Sequence, residues 1–333
     1  MPTLCLTTPG SRASLTGGRL RIEPPDGDTA AAREVPLHDI ERAFVSDRCS
    51  LSTAGLAELL RRDIPVVFTS WGERVIGLCQ PPAPHSVARI AQYRASLDPA
   101  LALALAIPFV EAKILNSRRV LQRLSANRPE AETDGVLKTL ERMTAACLRA
   151  SNLDTLRGHE GAASAAYFGA YGSFFPQTAP FERRSRRPPH NAANAILSYT
   201  YTLLAAEAEC QLHAIGLDPA IGFLHEPADR RASLALDLIE PFRAPVADAM
   251  ALDLLSHGTL KPDAHFEKCD GGIHLNTEGK KRFFVAYERR LEREFTGLRN
   301  GRRSTLRNEL HDSALAFKKA LLDDEPFQPF LMH

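Results

Sequence analysis

A proline-rich segment separates two parts of the chain whose apolar residues are spaced differently. Residues 80–84 read QPPAP, and this density of proline excludes helix and favours an extended connection. Before the segment, short apolar runs alternate with polar residues, as expected for strands. After it, alanine and leucine recur at helical spacing, and the breaks fall mostly at glycine and proline. We therefore predict an α+β protein, with a small β-rich, sandwich-like domain over residues 1–80, a linker over 81–85 and a larger all-α domain over 86–333.

The first part carries one turn signal and one capping signal that are specific enough to test. Gly17 and Gly18 separate two short alternating runs, which predicts a β-hairpin. Ser52 precedes leucines at helical spacing, so we expect it to cap a helix that runs to about Arg62. Nothing in this part suggests chemistry. We therefore assign it to dimer formation through exposed strand edges.

The charge distribution gives only local hints of a nucleic-acid partner. The net charge of +1 provides no chain-wide basic field, and short basic runs are usually solvated faces. The basic residues that we consider as DNA contacts are Arg89, Arg183, Arg184, Arg186, Arg187, Lys280 and Lys281.

Cysteine spacing and hydropathy indicate the compartment. The six cysteines are scattered, with no CxxC pair and no zinc-ligand spacing, which suits reduced thiols in a cytosol. The N-terminus lacks the charged-then-apolar pattern of a signal peptide. The most apolar run, near Ala100–Val110, is too short to span a bilayer and contains Pro108. We expect a soluble, cytoplasmic protein without membrane association.

The residues with the clearest chemical potential lie between positions 216 and 243. A loop containing glycine and proline carries His225, and a helix is predicted to begin near Ala232. Asp237 and Glu240 are three residues apart on that helix, so they project from one face. A histidine beside two carboxylates could bind a hard divalent cation.

A third carboxylate would have to come from another segment, and Glu160 is the candidate. It lies in a helix lined with small residues, in the sequence GHEGAASAAYFGAY. A lone helical glutamate is usually solvated, and a lone histidine is more often structural than a ligand. Asp237 and Glu240 could also form surface ion pairs with Arg243 or Arg230. Spacing alone therefore leaves both a metal site and a purely structural role open.

Several segments in fixed order resemble the CRISPR-associated adaptation integrases. An ExxxxxxYF helix is followed by a histidine loop and a DLxEPFR helix, and this combination is specific. The matching pieces cover most of residues 85–250. They are ARIAQY at 88–93, EAKILNSRRVLQR at 111–123, LRGHEGAASAAYF at 156–168, FERRSRRPPHNAANAILSYTYTLL at 181–204, and GLDPAIGFLH followed by SLALDLIEPFR.

The resemblance implies a site, a reaction and an assembly. Glu160, His225 and Glu240 would bind Mg²⁺ or Mn²⁺, and Asp237 would orient a ligand or bind a second ion. The enzyme would insert short DNA fragments into a CRISPR array as new spacers, through attack of a 3′-hydroxyl on a repeat phosphodiester. It would form a homodimer through its N-terminal domains. Two such dimers would flank a dimer of the small second adaptation protein, and the basic residues would contact phosphates of the duplex spacer precursor and the repeat.

Two other functions remain open at this point. A purely hydrolytic metal-dependent nuclease would present the same residues. A non-catalytic DNA-binding scaffold is a further alternative, although decay of a site usually removes a ligand and all three are present. Tyrosines 167, 199 and 201 could in principle attack DNA as in recombinases, but the arginine and histidine set that such enzymes need is not evident around them.

Overall fold

The computed structural model describes residues 3–70, 74–81, 86–128, 131–185, 188–269, 271–298, 301–323 and 325–332. Two of the candidate DNA contacts, Arg186 and Arg187, and most of the predicted linker, residues 82–85, lie outside these ranges. Strands form most of the regular structure up to Cys79, and helices dominate from Ser86 onward. The predicted α+β class is confirmed.

The N-terminal part contains two four-stranded sheets. One has the spatial order β1-β5-β7-β8, parallel except for its last pair, and the other has the order β4-β3-β2-β6. Residues of both sheets and of helix α1 (Thr53–Arg61) share one apolar cluster. The strands are β1 (Thr3–Leu6), β2 (Arg12–Thr16), β3 (Arg19–Glu23), β4 (Arg33–Pro36), β5 (Arg42–Ser46), β6 (Ser50–Leu51), β7 (Val66–Thr69) and β8 (Val75–Cys79).

Both local signals in this part are confirmed. Gly17 and Gly18 form the β2–β3 turn with φ of +55° and +77°, the left-handed region that a two-residue hairpin of this type requires. Ser52 caps α1, since its hydroxyl oxygen accepts a hydrogen bond of 3.1 Å from the backbone N–H of Gly55.

The second part is mainly helical, and it also contains short strands that the prediction of an all-α domain did not include. Two antiparallel strand pairs occur there, β9 (Phe266–Cys269) with β10 (Gly272–Leu275) and β11 (Glu294–Thr296) with β12 (Arg303–Thr305). Strands this short give too few residues for a period-two pattern to be recognised. The helices are α2 (Ser86–Leu97), α3 (Pro99–Asn127), α4 (Asp134–Cys147), α5 (Leu153–Tyr171), α6 (Ala192–Ala214), α7 (Ser233–Ile239), α8 (Ala249–Ser256), α9 (Pro262–His265), α10 (Thr277–Leu291) and α11 (Leu306–Asp323).

The helix predicted to begin near Ala232 is short and ends at Ile239. After α7 the chain forms a 3₁₀ turn over Glu240–Phe242 and a wider π-helical turn over Arg243–Asp248 before α8 begins. Pro241 and Pro245 explain the change, because proline lacks the N–H of a regular helical hydrogen bond and collides with the preceding turn. Glu240 therefore sits at a helix end.

Helix α3 is the central helix of the second part. It runs for 29 residues and is apolar enough, by length and composition, to cross a membrane. Ala106, Phe109, Val110, Ile114 and Leu121 are buried, and α3 packs against α4, α5, α7 and the turns that follow α7. Core packing accounts for its apolar character.

Buried charges join the first part to the second. Arg42 of β5 donates a 3.2 Å hydrogen bond to Glu207 of α6, and Arg307 of α11 contacts the same carboxylate. Phe44 of β5 also packs against Phe284 of α10, with ring centroids 6.1 Å apart. The first sheet is thus fixed to the helices by both ion pairs and apolar contacts.

Asn116 of α3 binds the C-terminal segment that contains Phe330 and Met332. Its amide donates to the carbonyls of Pro241 and Phe330, and its carbonyl accepts from the N–H of Met332. The side chain is buried, with 1% of its surface exposed.

We expect Asn116→Ala to lower the free energy of unfolding by about 2–4 kcal/mol, because three backbone groups lose their partner in a buried place. Urea denaturation measures the change. Asn127→Ala, at an exposed position of the same helix, is the control and should lie within about 0.5 kcal/mol of wild type. Equal stability of both variants would contradict the assigned role.

Candidate active site

The fold brings three sequence-predicted residues together. Glu160 lies on α5, His225 on the loop between α6 and α7, and Glu240 directly after α7. All three line one cavity of about 380 Å³. Residues that are 65 and 80 positions apart in the chain thus share a site.

Helix α5 presents Glu160 on an open face. Asn152 caps the helix by accepting a 2.8 Å hydrogen bond from the N–H of Thr155. Around Glu160, a methyl group added to Gly158 or Gly161 would meet no atom within 4 Å. The small residues therefore do not serve close helix packing at these positions, and they leave room beside the carboxylate.

Asp237 binds the loop that carries His225 through hydrogen bonds to its backbone. Its carboxylate, which has no exposed surface, accepts hydrogen bonds from the N–H groups of Phe223, Leu224 and His225, of 2.7, 3.0 and 2.9 Å. It also lies 2.6 Å from Nδ1 of His225. Both oxygens are thus engaged, and Asp237 acts in this structure as the residue that orients His225.

The bond to Asp237 decides which nitrogen of His225 faces the cavity. With Nδ1 donating to the carboxylate, Nε2 carries the lone pair and is the atom available to a ligand. Nε2 lies 3.8 Å from Oε1 of Glu240. Arg157 of α5 also holds the loop, through a 2.9 Å hydrogen bond from its Nε to the carbonyl of Leu224.

One glycine is essential to the shape of this loop. A Cβ added at Gly222 would lie 2.6 Å from the carbonyl oxygen of His225 and 2.8 Å from Ser233. Only glycine allows the backbone to pass this close to the start of α7.

Glu240 is buried among positive charges. Its Oε1 lies 3.0 Å from the guanidinium of Arg243. Its Oε2 forms an ion pair with Nζ of Lys113 at 2.7 Å. Burial acts to raise the pKa of Glu240, but the neighbouring positive charges, chiefly those of Arg243 and Lys113, lower it to about 2. The carboxylate is therefore ionised at neutral pH.

Glu160 shares the same lysine. Its Oε1 accepts hydrogen bonds from Ser164, at 2.7 Å, and from Lys113. Burial acts to raise the pKa of Glu160, the Lys113 charge lowers it, Glu240 raises it, and the net direction is downward. Two ionised carboxylates thus face one ammonium group.

Sequence reasoning did not single out Lys113, although it lies within the matching segment 111–123. The sequence does contain a feature that points to this residue, because Lys113 lies between Ala112 and Ile114, two buried residues of an apolar helix. A charge in such a position needs a partner nearby.

The donor atoms are of the kind that binds a divalent cation, but they do not converge closely enough to coordinate one as they stand. Within the described ranges, no group of three histidine, cysteine, aspartate or glutamate side chains is close enough to hold an ion as it stands. Glu160, His225 and Glu240 nevertheless line one cavity and offer two carboxylates and an imidazole. Hard ions such as Mg²⁺ and Mn²⁺ accept this combination.

A second cavity of about 520 Å³ lies against Glu160 as well. Lys113, Arg183, Arg184 and Arg243 contribute four positive side chains to its lining. Two of the predicted DNA contacts, Arg183 and Arg184, are thus next to the site. Arg243, which we expected to pair locally, does so with Glu240 and lies over the Tyr201 ring at 4.6 Å.

Three other predicted DNA contacts that the structure describes, Arg89, Lys280 and Lys281, line neither cavity. Lys280 is only 4% exposed, because the first turn of α10 packs closely against α9, so the prediction that it meets DNA is not supported by its position. Lys281 is exposed, and Arg89 is half-buried on α2.

Two of the tyrosines considered as nucleophiles, Tyr167 and Tyr201, belong to the core or pack against it. Tyr167 is buried and stacks on Tyr171, with centroids 5.6 Å apart. Burial raises the pKa of Tyr201 well above its ordinary value, and its hydroxyl donates a 2.6 Å hydrogen bond to Asp248. Such hydroxyls are poor nucleophiles.

The profile of the family described as CRISPR associated protein Cas1 matches residues 4–289. The chain belongs to the Cas1 family. The CRISPR-associated endonuclease Cas1 3 of Thermus thermophilus is 34% identical over 319 residues, which are 95% of this chain and 93% of that protein.

Two solved structures share the fold. A casposase bound to integration product superposes with a TM-score of 0.88 at 24% identity, covering 99% of this chain and 93% of that one. A Cas6-RT-Cas1–Cas2 complex contains a chain with a TM-score of 0.81 at 24% identity, which covers 99% of this chain and 36% of that one.

Asp248 lines the larger cavity and is a buried carboxylic acid whose pKa is raised. Burial raises its pKa to about 6, although the hydrogen bond from Tyr201 and the charges of Arg184 and Arg243 oppose the rise. The ordinary value is 3.8. The folded state therefore binds a proton more tightly than the unfolded chain, and this contribution to stability is lost as the pH rises through about 6.

We expect Asp248→Asn to remove this pH dependence. Between about pH 4.5 and about pH 8, the unfolding free energy of the variant should rise by about 2 kcal/mol relative to wild type. Urea denaturation of both proteins at the two pH values measures the difference, in which all other titrating groups cancel. Parallel pH profiles would show that Asp248 titrates normally.

Proposed function

We propose that the chain is a metal-dependent DNA integrase of CRISPR spacer acquisition. The observation that carries the proposal is the convergence of Glu160, His225 and Glu240 in one cavity, with Asp237 orienting the imidazole. Membership of the Cas1 family and the shared fold with a casposase bound to integration product support it.

Glu160, His225 and Glu240 would hold Mg²⁺ or Mn²⁺. When bound, such an ion neutralises phosphodiester charge and lowers the pKa of a hydroxyl nucleophile. Asp237 orients the imidazole of His225 through its bond to Nδ1, so that Nε2 would be available to the ion. Arg243 stays beside Glu240 and maintains that carboxylate in its ionised form.

The proposed reaction is transesterification. The 3′-hydroxyl of the incoming fragment gives up its proton to water, and its oxygen forms a bond to a repeat phosphorus. The bond from that phosphorus to the repeat 3′-oxygen breaks, and the leaving oxygen takes a proton from water. One phosphodiester replaces another, so no nucleotide hydrolysis is required. The sequence has no GxxxxGK[ST] loop, the motif of nucleotide-hydrolysing motors. The buried tyrosines argue against a covalent intermediate between protein and DNA.

The open face of α5 and the basic cavity give DNA a path to the site. Gly158 and Gly161 leave space beside Glu160. Arg183 is exposed, whereas Arg184 donates hydrogen bonds of 2.8 and 3.1 Å to Asn194 and Ser198 of α6. Arg183 is therefore the better test of a phosphate contact.

We expect Arg183→Glu to weaken DNA binding irrespective of base sequence. Removing one ion pair with a DNA phosphate should reduce the log–log salt slope by about 0.9 for duplex DNA. Fluorescence anisotropy at several salt concentrations measures both the affinity and the slope. Arg149→Glu, an exposed arginine that lines neither cavity, is the matched control. The same affinity and slope in both variants would mean that Arg183 is only a solvated residue.

The proposed assembly rests on similarity. A relative of the same fold was solved in a complex named for both Cas1 and Cas2. We propose that this chain forms a homodimer through residues 1–80 and that two dimers flank a dimer of the small second adaptation protein. The proposed setting is the cytoplasm, where a CRISPR array is accessible.

The decisive assay separates joining from hydrolysis. A short duplex with 3′-hydroxyl ends, or the same duplex with 3′-deoxy ends, is mixed with the enzyme, Mn²⁺ and the small partner protein. The target is a supercoiled plasmid carrying a repeat. The hydroxyl duplex should become covalently joined and the deoxy duplex should not. Plasmid nicking without joining would instead identify a hydrolytic nuclease, and neither product would point to a DNA-binding scaffold.

A further inference from the structure

Lys113 lies between the two carboxylates of the site. It rises from α3, and its Nζ contacts Oε1 of Glu160 and Oε2 of Glu240. Its side chain is only 15% exposed. One ammonium group thus bridges α5 and the turn after α7.

We propose that Lys113 competes with the divalent cation for Glu160 and Glu240, and that DNA relieves this competition by taking up the displaced ammonium. The inference rests on the proposed function, since it assumes that these carboxylates bind a metal ion. It adds a role for a residue outside the predicted ligand set.

The competition follows from charge and space. Two ionised carboxylates close together repel each other, and the ammonium offsets that repulsion. A divalent ion satisfies the same oxygens, but it would then lie within a few ångströms of the ammonium, where like charges in a partly buried place repel strongly. Lysine and metal therefore cannot occupy the carboxylates together at low cost.

The structure offers the lysine a second location. Lys113 lines the larger cavity, with Arg183, Arg184 and Arg243, and not the smaller one that contains His225. A lysine side chain is flexible along four carbons, and its ammonium binds a phosphate as a point charge. In that cavity, already basic, an ammonium without a counter-ion is unfavourable, whereas a DNA phosphate would stabilise it.

This arrangement links the two binding events. If DNA stabilises the displaced lysine, it raises the affinity for the metal, and by thermodynamic reciprocity the metal raises the affinity for DNA by the same factor. Removing the charge at position 113 should then strengthen metal binding and abolish its dependence on DNA.

Calorimetric titration of the full chain with Mn²⁺ tests the inference. We expect Lys113→Met to bind Mn²⁺ about tenfold or more tightly than wild type in the absence of DNA. A duplex with 3′-deoxy ends, which cannot be joined, should raise the Mn²⁺ affinity of wild type about fivefold or more and leave that of Lys113→Met unchanged. Lys138→Met, at an exposed position of α4, is the control and should behave as wild type.

Thermal melting gives a readout without metal. In EDTA, Lys113→Met should melt below wild type, because its carboxylates no longer share a counter-ion. With Mn²⁺ in place of EDTA, this difference in melting temperature should disappear. Lys113→Arg keeps the charge and should bind Mn²⁺ weakly, like wild type. If Lys113→Met does not fold, the DNA dependence of the wild-type affinity still decides.

Mn²⁺ affinity that is equal or weaker in Lys113→Met, or a wild-type affinity that the duplex does not change, would overturn the inference. The joining assay tests the proposed function separately from this inference. Joining by wild type with no effect of position 113 on Mn²⁺ affinity would remove only this inference. Competition at position 113 without joining would remove only the integrase proposal.

Discussion

Glu160→Ala, His225→Ala and Glu240→Ala should each abolish divalent-dependent joining and cleavage of DNA, with a loss of at least about 100-fold. Each change removes one of three donors in a shared cavity, and the remaining two cannot hold an ion as firmly. Circular dichroism of each variant should match wild type, because the surrounding helices pack through other residues.

The matched control lies in the same cavity. Glu226 also lines it, but its carboxylate is 73% exposed and pairs with Arg157 at 2.8 Å. Glu226→Ala should keep joining within a few-fold of wild type. A wild-type rate in any one of the three ligand variants would exclude that residue from the site.

Asp237→Ala should cause the second large loss, and here stability and activity fall together. The change removes a fully buried carboxylate that binds three backbone N–H groups and orients the imidazole of His225. Breaking a buried, fully bonded charge of this kind costs about 3–5 kcal/mol. We expect that drop in unfolding free energy and a joining rate lower by about 100-fold.

Denaturation and joining assays on one preparation measure both effects. Asp229→Ala changes an exposed residue of the same connection between α6 and α7 and should leave both unchanged. If Asp237→Ala kept full stability, the loop would not depend on this carboxylate.

The sequence indicates which residues line the candidate site better than it indicates what surrounds them. His225 and Glu240 are close in the chain, and a loop followed by a helix start is a local pattern. Glu160 is far away in sequence, so spacing leaves it uncertain and only the family resemblance connects it to the others. Lys113 escapes detection because its role arises from two tertiary contacts that no local pattern encodes.

The fold shows the same division between local and tertiary information. The turn at Gly17 and Gly18 and the cap at Ser52 are local, and both are found as predicted. The strands Glu294–Thr296 and Arg303–Thr305 depend on pairing with each other. The orienting role of Asp237 depends on a loop that folds back onto α7, so the sequence left it open between orientation and metal binding.

Spectroscopy of bound Mn²⁺ tests most directly whether Glu160, His225 and Glu240 form a metal site. Electron spin echo envelope modulation detects a nitrogen nucleus bonded to Mn²⁺. We predict a nitrogen coupling in the wild-type protein that is absent in His225→Gln, which still offers oxygen donors to the ion. A wild-type signal without nitrogen, or a coupling that persists in His225→Gln, would contradict the proposed site.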